Sequence, residues 1–181
     1  EVPLCVLPIG SGNDWAKTHK LSQNLQLYFE QWEKLKSIRH DVGRVRYLLD
    51  GEKESRYFLN IAGFGFEGQV VKNLETFKNK LSMPGLAYLI GLLVSLFRYK
   101  EIPLSLRVDS QKIETDVFNL SIGNGEYFGN GMRILPNAQP NDGLFDISLV
   151  EQITRRKVVA NIEKLFSGKY NSLAEVQTML A

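Results

Sequence analysis

Apolar and polar positions follow two different periods along this chain, and the change of period divides it near residue 40. Residues 2–9 are mostly apolar, with Cys5 and Val6 in the middle, which predicts a buried strand. Residues 7–16, LPIGSGNDWA, then turn the chain. Gly10 and Gly12 allow a sharp bend and close approach of the backbone to a ligand. Asn13 or Asp14 can cap the short helix expected over residues 15–20. A second helix is predicted over residues 24–36. There Leu25, Phe29, Trp32 and Leu35 share one face and read as core packing, while Gln26, Glu30, Glu33 and Lys34 point outward.

From residue 37 strand patterns take over. Residues 38–49 are interrupted by Gly43, Asp50-Gly51 opens a polar turn through Ser55, and residues 56–62 resume an apolar strand, so the pair reads as a hairpin. Glycines 63, 65 and 68 have the spacing of a dinucleotide fingerprint, but no downstream βαβ unit follows. A tight strand-to-helix junction is the simpler account. Residues 84–97, PGLAYLIGLLVSLF, form the most hydrophobic run. Spanning a bilayer takes about twenty apolar residues, so this run is too short to cross. Lys78, Lys80, Arg98 and Lys100 flank it, as in an interfacial helix on anionic lipid. A helix buried against a β domain explains it with fewer assumptions.

Further along, Leu104, Leu106 and Val108 alternate with polar residues, a turn follows at 109–111, and residues 116–122 and 144–150 read as strands. About six short strands with polar turns predict a sandwich-like β domain. Thr154 can cap a helix with Val158, Ile162 and Leu165 on one face, ended by Gly168, and the last residues read as a polar, helix-like run. The fold class is therefore α+β. Residues 1–40 finish an α/β domain, and residues 41–181 build a mainly β, sandwich-like second domain with helices.

Composition narrows the classes. The 181 residues suit one sizeable domain or one and a half, with 44% hydrophobic and 23% charged residues as in ordinary globular proteins. A formal charge of +2 gives no electrostatic footprint for nucleic acid. The single cysteine excludes an internal disulfide framework and fits a reducing, cytoplasmic setting. Cys5, inside an apolar strand, reads as buried filler. With only His19 and His40 and no cysteine pair, a structural zinc site has too few ligands.

Two segments can carry chemistry. A strand, a glycine turn and a helix N-terminus make an anion site, because free N–H groups and the helix dipole favour negative charge. A βα turn that merely needs glycine reads the same way, and both alternatives stand. Residues 136–146 are polar, hold two prolines and end in Asn141-Asp142-Gly143 before a strand. That is a turn, and also a place where a carboxylate beside loop carbonyls suits an oxygen-loving cation.

PIGSGND resembles the P-x-G-T-x-N-D segment of the diacylglycerol kinase catalytic-domain family, which includes bacterial lipid kinases, sphingosine kinases and ceramide kinases. FLNIAGFGFEGQVV (58–71) is similar to its F-x-N-x-A-G-x-G-F-D-A-x-V, and GLAYLIGLL (85–93) to its G-x-x-x-Y segment. NGEYFGNGMRILPNAQPNDGLFDISLV (124–150) resembles its N-G-x-x-x-G-G-G-M…P-x-A…D-G-L-x-D-x-x-x-V block. The resemblance runs over nearly the whole chain. It implies a lipid kinase that moves the γ-phosphate of ATP to a lipid hydroxyl, such as that of diacylglycerol, with Mg²⁺.

The same resemblance implies that residues 1–40 end a nucleotide-binding domain, with Gly10, Ser11, Gly12 and Asn13 at the nucleotide. Ser11 stands where the family has threonine and keeps the hydroxyl. Asn13 is expected to stitch the turn through its amide. Asp14 is the catalytic candidate, holding Mg²⁺ or a water near the phosphates, with capping of the helix as its rival role. Asp142 matches an aspartate that holds a structural Mg²⁺, with main-chain oxygens from Gln139 and Leu144. Asp146 alternates to the opposite strand face and reads as solvated or hydrogen-bonded.

Two positions depart from the family pattern. Glu67 replaces its aspartate, which displaces the charge, and Asn130 interrupts its triple glycine, where asparagine tolerates positive φ. Both segments are expected along the interdomain cleft. The family's G-G-D-G-T loop, expected before Glu1, and its D-G-E segment, expected after Ala181, are absent from the sequence. The chain therefore reads as a fragment of a larger enzyme, inactive alone, with the general base outside it. Its partners would be a nucleotide, a lipid acceptor and, through the flanking cations, the periphery of a membrane. The rivals are a NAD kinase-like enzyme with a soluble acceptor and a non-catalytic lipid-binding regulator.

Overall fold

A computed structural model describes residues 3–10, 12–30, 32–34, 36–78 and 84–181, with the backbone alone for 74–78 and 84–90. The first helices are short: α1 (Asp14–Thr18) and α2 (Leu25–Glu30), the latter followed by a 3₁₀ turn at Trp32–Lys34. A two-residue turn then joins β1 (Gly43–Leu49) to β2 (Glu52–Phe58) in an antiparallel hairpin. Asp50 and Gly51 both take positive φ there, 52° and 87°, as the twist of a tight hairpin requires.

The main sheet follows. β3 (Ile61–Gly65) runs into α3 (Phe66–Lys78), α4 (Pro84–Arg98) packs on α3, and β4 (Ile102–Val108) turns back into the long β5 (Gln111–Gly123). The small ribbon of β6 (Tyr127–Phe128) and β7 (Met132–Arg133) precedes β8 (Asp146–Glu151). The chain ends in α5 (Arg155–Ala160), α6 (Ile162–Ser167) and β9 (Val176–Leu180). Strands β3, β5, β8 and β9 pair antiparallel in that order, and β4 lies along the first half of β5.

One irregularity shapes the core. Val117 pairs with Glu151 but Asn119 pairs with Val150, so Phe118 is the extra residue of a bulge. Its ring joins those of Phe66 and Tyr99, with centroids 4.8 and 5.5 Å away, in a cluster under α3 and α4. Past the bulge Leu120 packs with Val108, Val117, Ile147 and Leu149 on one sheet face. The opposite face carries Asn119, Ser121 and Ser148, all buried. It also meets the cluster of Ile134, Leu135, Ala138, Tyr170 and Val176. Mixed helices around antiparallel sheets are the α+β, sandwich-like class that the alternation predicts.

Several local expectations fail. Residues 3–9 form no strand, because no described segment pairs with them, and Cys5 is exposed with Sγ 3.8 Å from the Tyr28 hydroxyl. The second helix is broken, and Leu25, Phe29 and Trp32 are exposed while Tyr28 is buried; Leu35 lies outside the described residues. Tyr28 is held because its O–H reaches the Val6 carbonyl at 3.1 Å. Thr154 does cap, accepting the Lys157 N–H, but the predicted helix divides at Asn161 and leaves Ile162 exposed. Gly168 ends it at φ 70°. The final residues are strand β9, since their backbone completes the free edge of β8.

The apolar run near residue 90 is helical, as predicted, and only half sheltered. Ser95, Leu96 and Tyr99 are buried, whereas Leu93 and Phe97 share an exposed face. Arg155 ties its end to α5 by donating to the Tyr99 carbonyl and the Glu101 carboxylate. Among the described residues no helix is long and apolar enough to cross a membrane.

Candidate functional site

The glycine turn is built around Asn13. Its Oδ1 accepts the Gly10 N–H at 2.9 Å, while Nδ2 donates to the carbonyls of Pro8 and Gly10 at 3.1 and 2.6 Å. Asn13 occupies the cap position of α1 with φ 51° and makes no side-chain cap bond. The left-handed backbone sends the amide back into the turn instead of forward onto the helix N–H groups. Ser11 lies outside the described residues.

Asp14 does not cap the helix either. Its Oδ1 pairs with Lys17 Nζ at 3.0 Å, and its Oδ2 accepts the Asn130 N–H at 2.8 Å. The turn of residues 8–14 is thereby fastened to the loop between β6 and β7, 116 positions away in sequence. In that loop Gly129, Asn130 and Gly131 take φ 60°, 70° and 100° in succession. Three left-handed residues in a row curl the backbone so that the Asn130 N–H faces Asp14; asparagine is among the few side chains that accept this. Thr18 adds a second tie, its Oγ1 accepting the Glu126 N–H at 3.0 Å.

Residues that the pattern did not single out complete the junction. Trp15 Nε1 donates to His40 Nε2 at 3.0 Å, which leaves Nδ1 to donate to the Asp41 carbonyl at 2.7 Å. His19 packs at a tilt against both rings, with centroids 4.0 and 5.1 Å away. Burial, and then the nearby His40, push the His19 imidazole down to about 4. No periodicity marks these side chains, because they pack through one local stack and not along an element face.

Asp41 organises the second segment. Its N–H donates to the Pro140 carbonyl at 2.7 Å, its carbonyl accepts from Asn124 Nδ2 at 2.7 Å, and its Oδ2 accepts the Gly143 N–H at 2.7 Å. Asp142 closes an Asx turn by accepting the Leu144 N–H at 3.0 Å. Asp146 is half-buried, and burial followed by the Asp142 charge raises its carboxyl above the usual range. The two carboxylates therefore share a field, across the turn that Gly143 makes at φ 78°. Among the described residues no three His, Cys, Asp or Glu side chains gather as a ready cation cage.

Glu67 points into the core. Its Oε1 accepts from Ser121 Oγ at 2.6 Å and Asn119 Nδ2 at 2.8 Å, while Asn119 Oδ1 accepts the Glu67 N–H at 3.1 Å. Its Oε2 is enclosed without a partner, and burial outweighs the two hydrogen bonds to raise the carboxyl. The space is available only because residue 63 is glycine: a Cβ there would lie 1.5 Å from Oε2. The extra methylene of glutamate carries the charge into the sheet.

Residues 60–181 match the model of the YegS C-terminal NAD kinase beta sandwich-like domain. A protein named diacylglycerol kinase from Mycobacterium tuberculosis is 28% identical over the whole of this chain and 58% of its own length. One named probable lipid kinase YegS-like, from Pseudomonas savastanoi, is 31% identical over 93% of this chain and 51% of its own. The crystal structure of a diacylglycerol kinase from Bacillus anthracis superposes with a TM-score of 0.60 at 21% identity, over 95% of this chain and 51% of that one, which supports the fold. The chain spans about half the length of the curated relatives it matches. With the turn, the left-handed loop and the antiparallel sheet in place, the chain belongs to the family of the YegS C-terminal NAD kinase beta sandwich-like domain.

Proposed function

We propose that this chain is part of a lipid kinase that transfers the γ-phosphate of ATP to a lipid hydroxyl such as that of diacylglycerol. The observation that carries the reading is the Asp14–Asn130 bond, which brings the glycine turn and the asparagine-glycine loop together across 116 positions. The names of the relatives support the reaction class. Residues 1–40 belong to the nucleotide-binding part and residues 41–181 to the second domain in this reading.

Gly10, Ser11, Gly12 and Asn13 line the nucleotide, with Asn13 holding the turn. Asp14 sits beside the phosphates, and Lys17, paired with it, adds a cation there. Gln139, Asp142 and Leu144 fit a structural Mg²⁺. The fit rests on the shared field of Asp142 and Asp146, which a divalent cation would relieve. When bound, the ion would order residues 136–144. The protein would work in the cytoplasm at the periphery of a membrane, since its acceptor lies in one.

The test is radiolabelled ATP with Mg²⁺ offered to the complete protein, with diacylglycerol vesicles in one arm and NAD in the other. Labelled phosphatidic acid is the expected product. Labelled NADP would assign the soluble-acceptor reaction instead, and vesicle binding without either product a non-catalytic lipid binder.

A further inference from the structure

The β1–β2 hairpin has two chemically distinct faces, and the register separates them. Val45 lies opposite Arg56 and Tyr47 opposite Glu54 on the inner face, where Phe58 covers Gly43 and packs on Phe145, centroids 5.7 Å apart. Val45 and Phe58 are half-buried, so this face turns to the body of the protein. The outer face pairs Arg44 with Tyr57, Arg46 with Ser55 and Leu48 with Lys53. It holds three cations and no carboxylate, in a chain whose whole net charge is +2. The inner Arg56, by contrast, has Tyr47 and Glu54 beside it.

Arg44 lies over the Tyr57 ring at 5.4 Å and donates to Ser55 Oγ at 3.2 Å, which holds its charge on that face. Leu48 and Tyr57, 70% and 69% exposed, stand among the cations. An exposed leucine beside a tyrosine costs hydration in water and gains cover at a lipid–water boundary, where tyrosine's ring and hydroxyl are both satisfied. Phosphodiester backbones would neutralise the cations but leave Leu48 uncovered.

We infer that the outer face of this hairpin docks on an anionic bilayer, with Arg44, Arg46 and Lys53 at the headgroups and Leu48 and Tyr57 at the acyl boundary. The inference takes its choice of surface from the lipid-kinase reading, and its test reads binding alone, so either can fail without the other. It also differs from contact through Arg98, which lies at the end of α4; Lys80 is outside the described residues.

The experiment is co-sedimentation of the chain with phosphatidylglycerol–phosphatidylcholine vesicles and with pure phosphatidylcholine. Binding is expected to the anionic vesicles and to weaken at high salt. Each cation contributes about fivefold near a charged surface, so R44Q/R46Q/K53Q should bind about a hundredfold more weakly. L48S should weaken binding while keeping the salt dependence. Both variants change exposed side chains, and circular dichroism checks that the fold is kept. Equal binding by the triple variant and the wild type would overturn the inference. Loss confined to K78Q/K80Q/R98Q/K100Q would move the contact to α4, and retention of the wild type on single-stranded DNA but not on vesicles would assign the face to nucleic acid; either result also overturns it.

Discussion

The carboxylate of Asp14 joins the main chain of Asn130 at 2.8 Å, so one side chain both faces the glycine turn and fixes the loop beyond β6. Its two oxygens are divided between that N–H and Lys17, and the side chain is only 14% exposed. Removing both contacts in Asp14→Ala should destabilise the protein by about 1–3 kcal/mol, as expected for hydrogen bonds to a charged group. Asp14→Asn keeps an oxygen for Asn130 and should cost less than about 1 kcal/mol. Denaturant titration reads this difference. On the proposed kinase reading, Asp14→Asn in the complete protein should lower turnover far more than nucleotide affinity. Wild-type turnover in that variant would leave Asp14 with the docking role alone.

Why the docking was hidden, while the turn was not, is a matter of range. PIGSGND announces its bend through glycine and asparagine, because φ and local hydrogen bonds are decided within a few residues. The β5–β8 core was equally legible, since alternation marks a strand buried on one face. Leu25, Phe29 and Trp32 misled the same rule. Helical spacing says that residues share a face but not that another element covers it, and here they are exposed. The final strand escaped for a related reason: Val176–Leu180 is defined by its ladder to β8, and VQTML has too little alternation to reveal it. The long-range donors to the Asp14 and Asp41 carboxylates, the N–H groups of Asn130 and Gly143, are main-chain groups, which no residue type in a sequence can signal.

Asp142 offers a separable test of the cation site. Asp142→Ala should abolish any gain in thermal stability on adding Mg²⁺, because an ion that binds only the folded state stabilises it by mass action. It should also lower the Asp146 carboxyl, whose upward shift owes part to Asp142. Asp41→Asn, which disturbs the Gly143 contact but not Asp142, should weaken Mg²⁺ binding and not abolish it. Identical calorimetric titrations of Asp142→Ala and wild type would remove the assignment.

The junction should also respond to acid. An unfolded histidine titrates near 6.5, and folded His19 near 4. Between those values the unfolded chain binds the extra proton. The contribution of neutral His19 is therefore complete above pH 6.5 and is lost as pH falls towards about 4. Glu67 acts in the opposite sense: its raised carboxyl favours the folded state at acid pH and less so as pH rises through its titration. Denaturant titrations across pH should show the acid-side slope flatten in His19→Gln and the opposing slope disappear in Glu67→Gln. An NMR midpoint near 6.5 for the His19 ring would contradict its packing against Trp15 and His40.

Gly63 and Glu67 provide the sharpest check on the core. A Cβ at residue 63 would sit 1.5 Å from Glu67 Oε2 and 2.5 Å from its Cδ, so Gly63→Ala must expel the carboxyl from its place against Ser121 and Asn119. Overpacking of this kind costs about 1–3 kcal/mol. Glu67→Ala alone leaves Asn119 and Ser121 short of an acceptor, which also destabilises. With the glutamate gone, however, the alanine methyl meets the residue-67 Cβ, 3.2 Å away, in place of the carboxyl. The double variant should therefore be less damaged than the sum of the single variants, by about 1 kcal/mol or more. Additive losses in a double-mutant cycle would mean that the Glu67 carboxyl does not lie over Gly63 in solution, and with that the buried link between β3, α3 and β5 would fail.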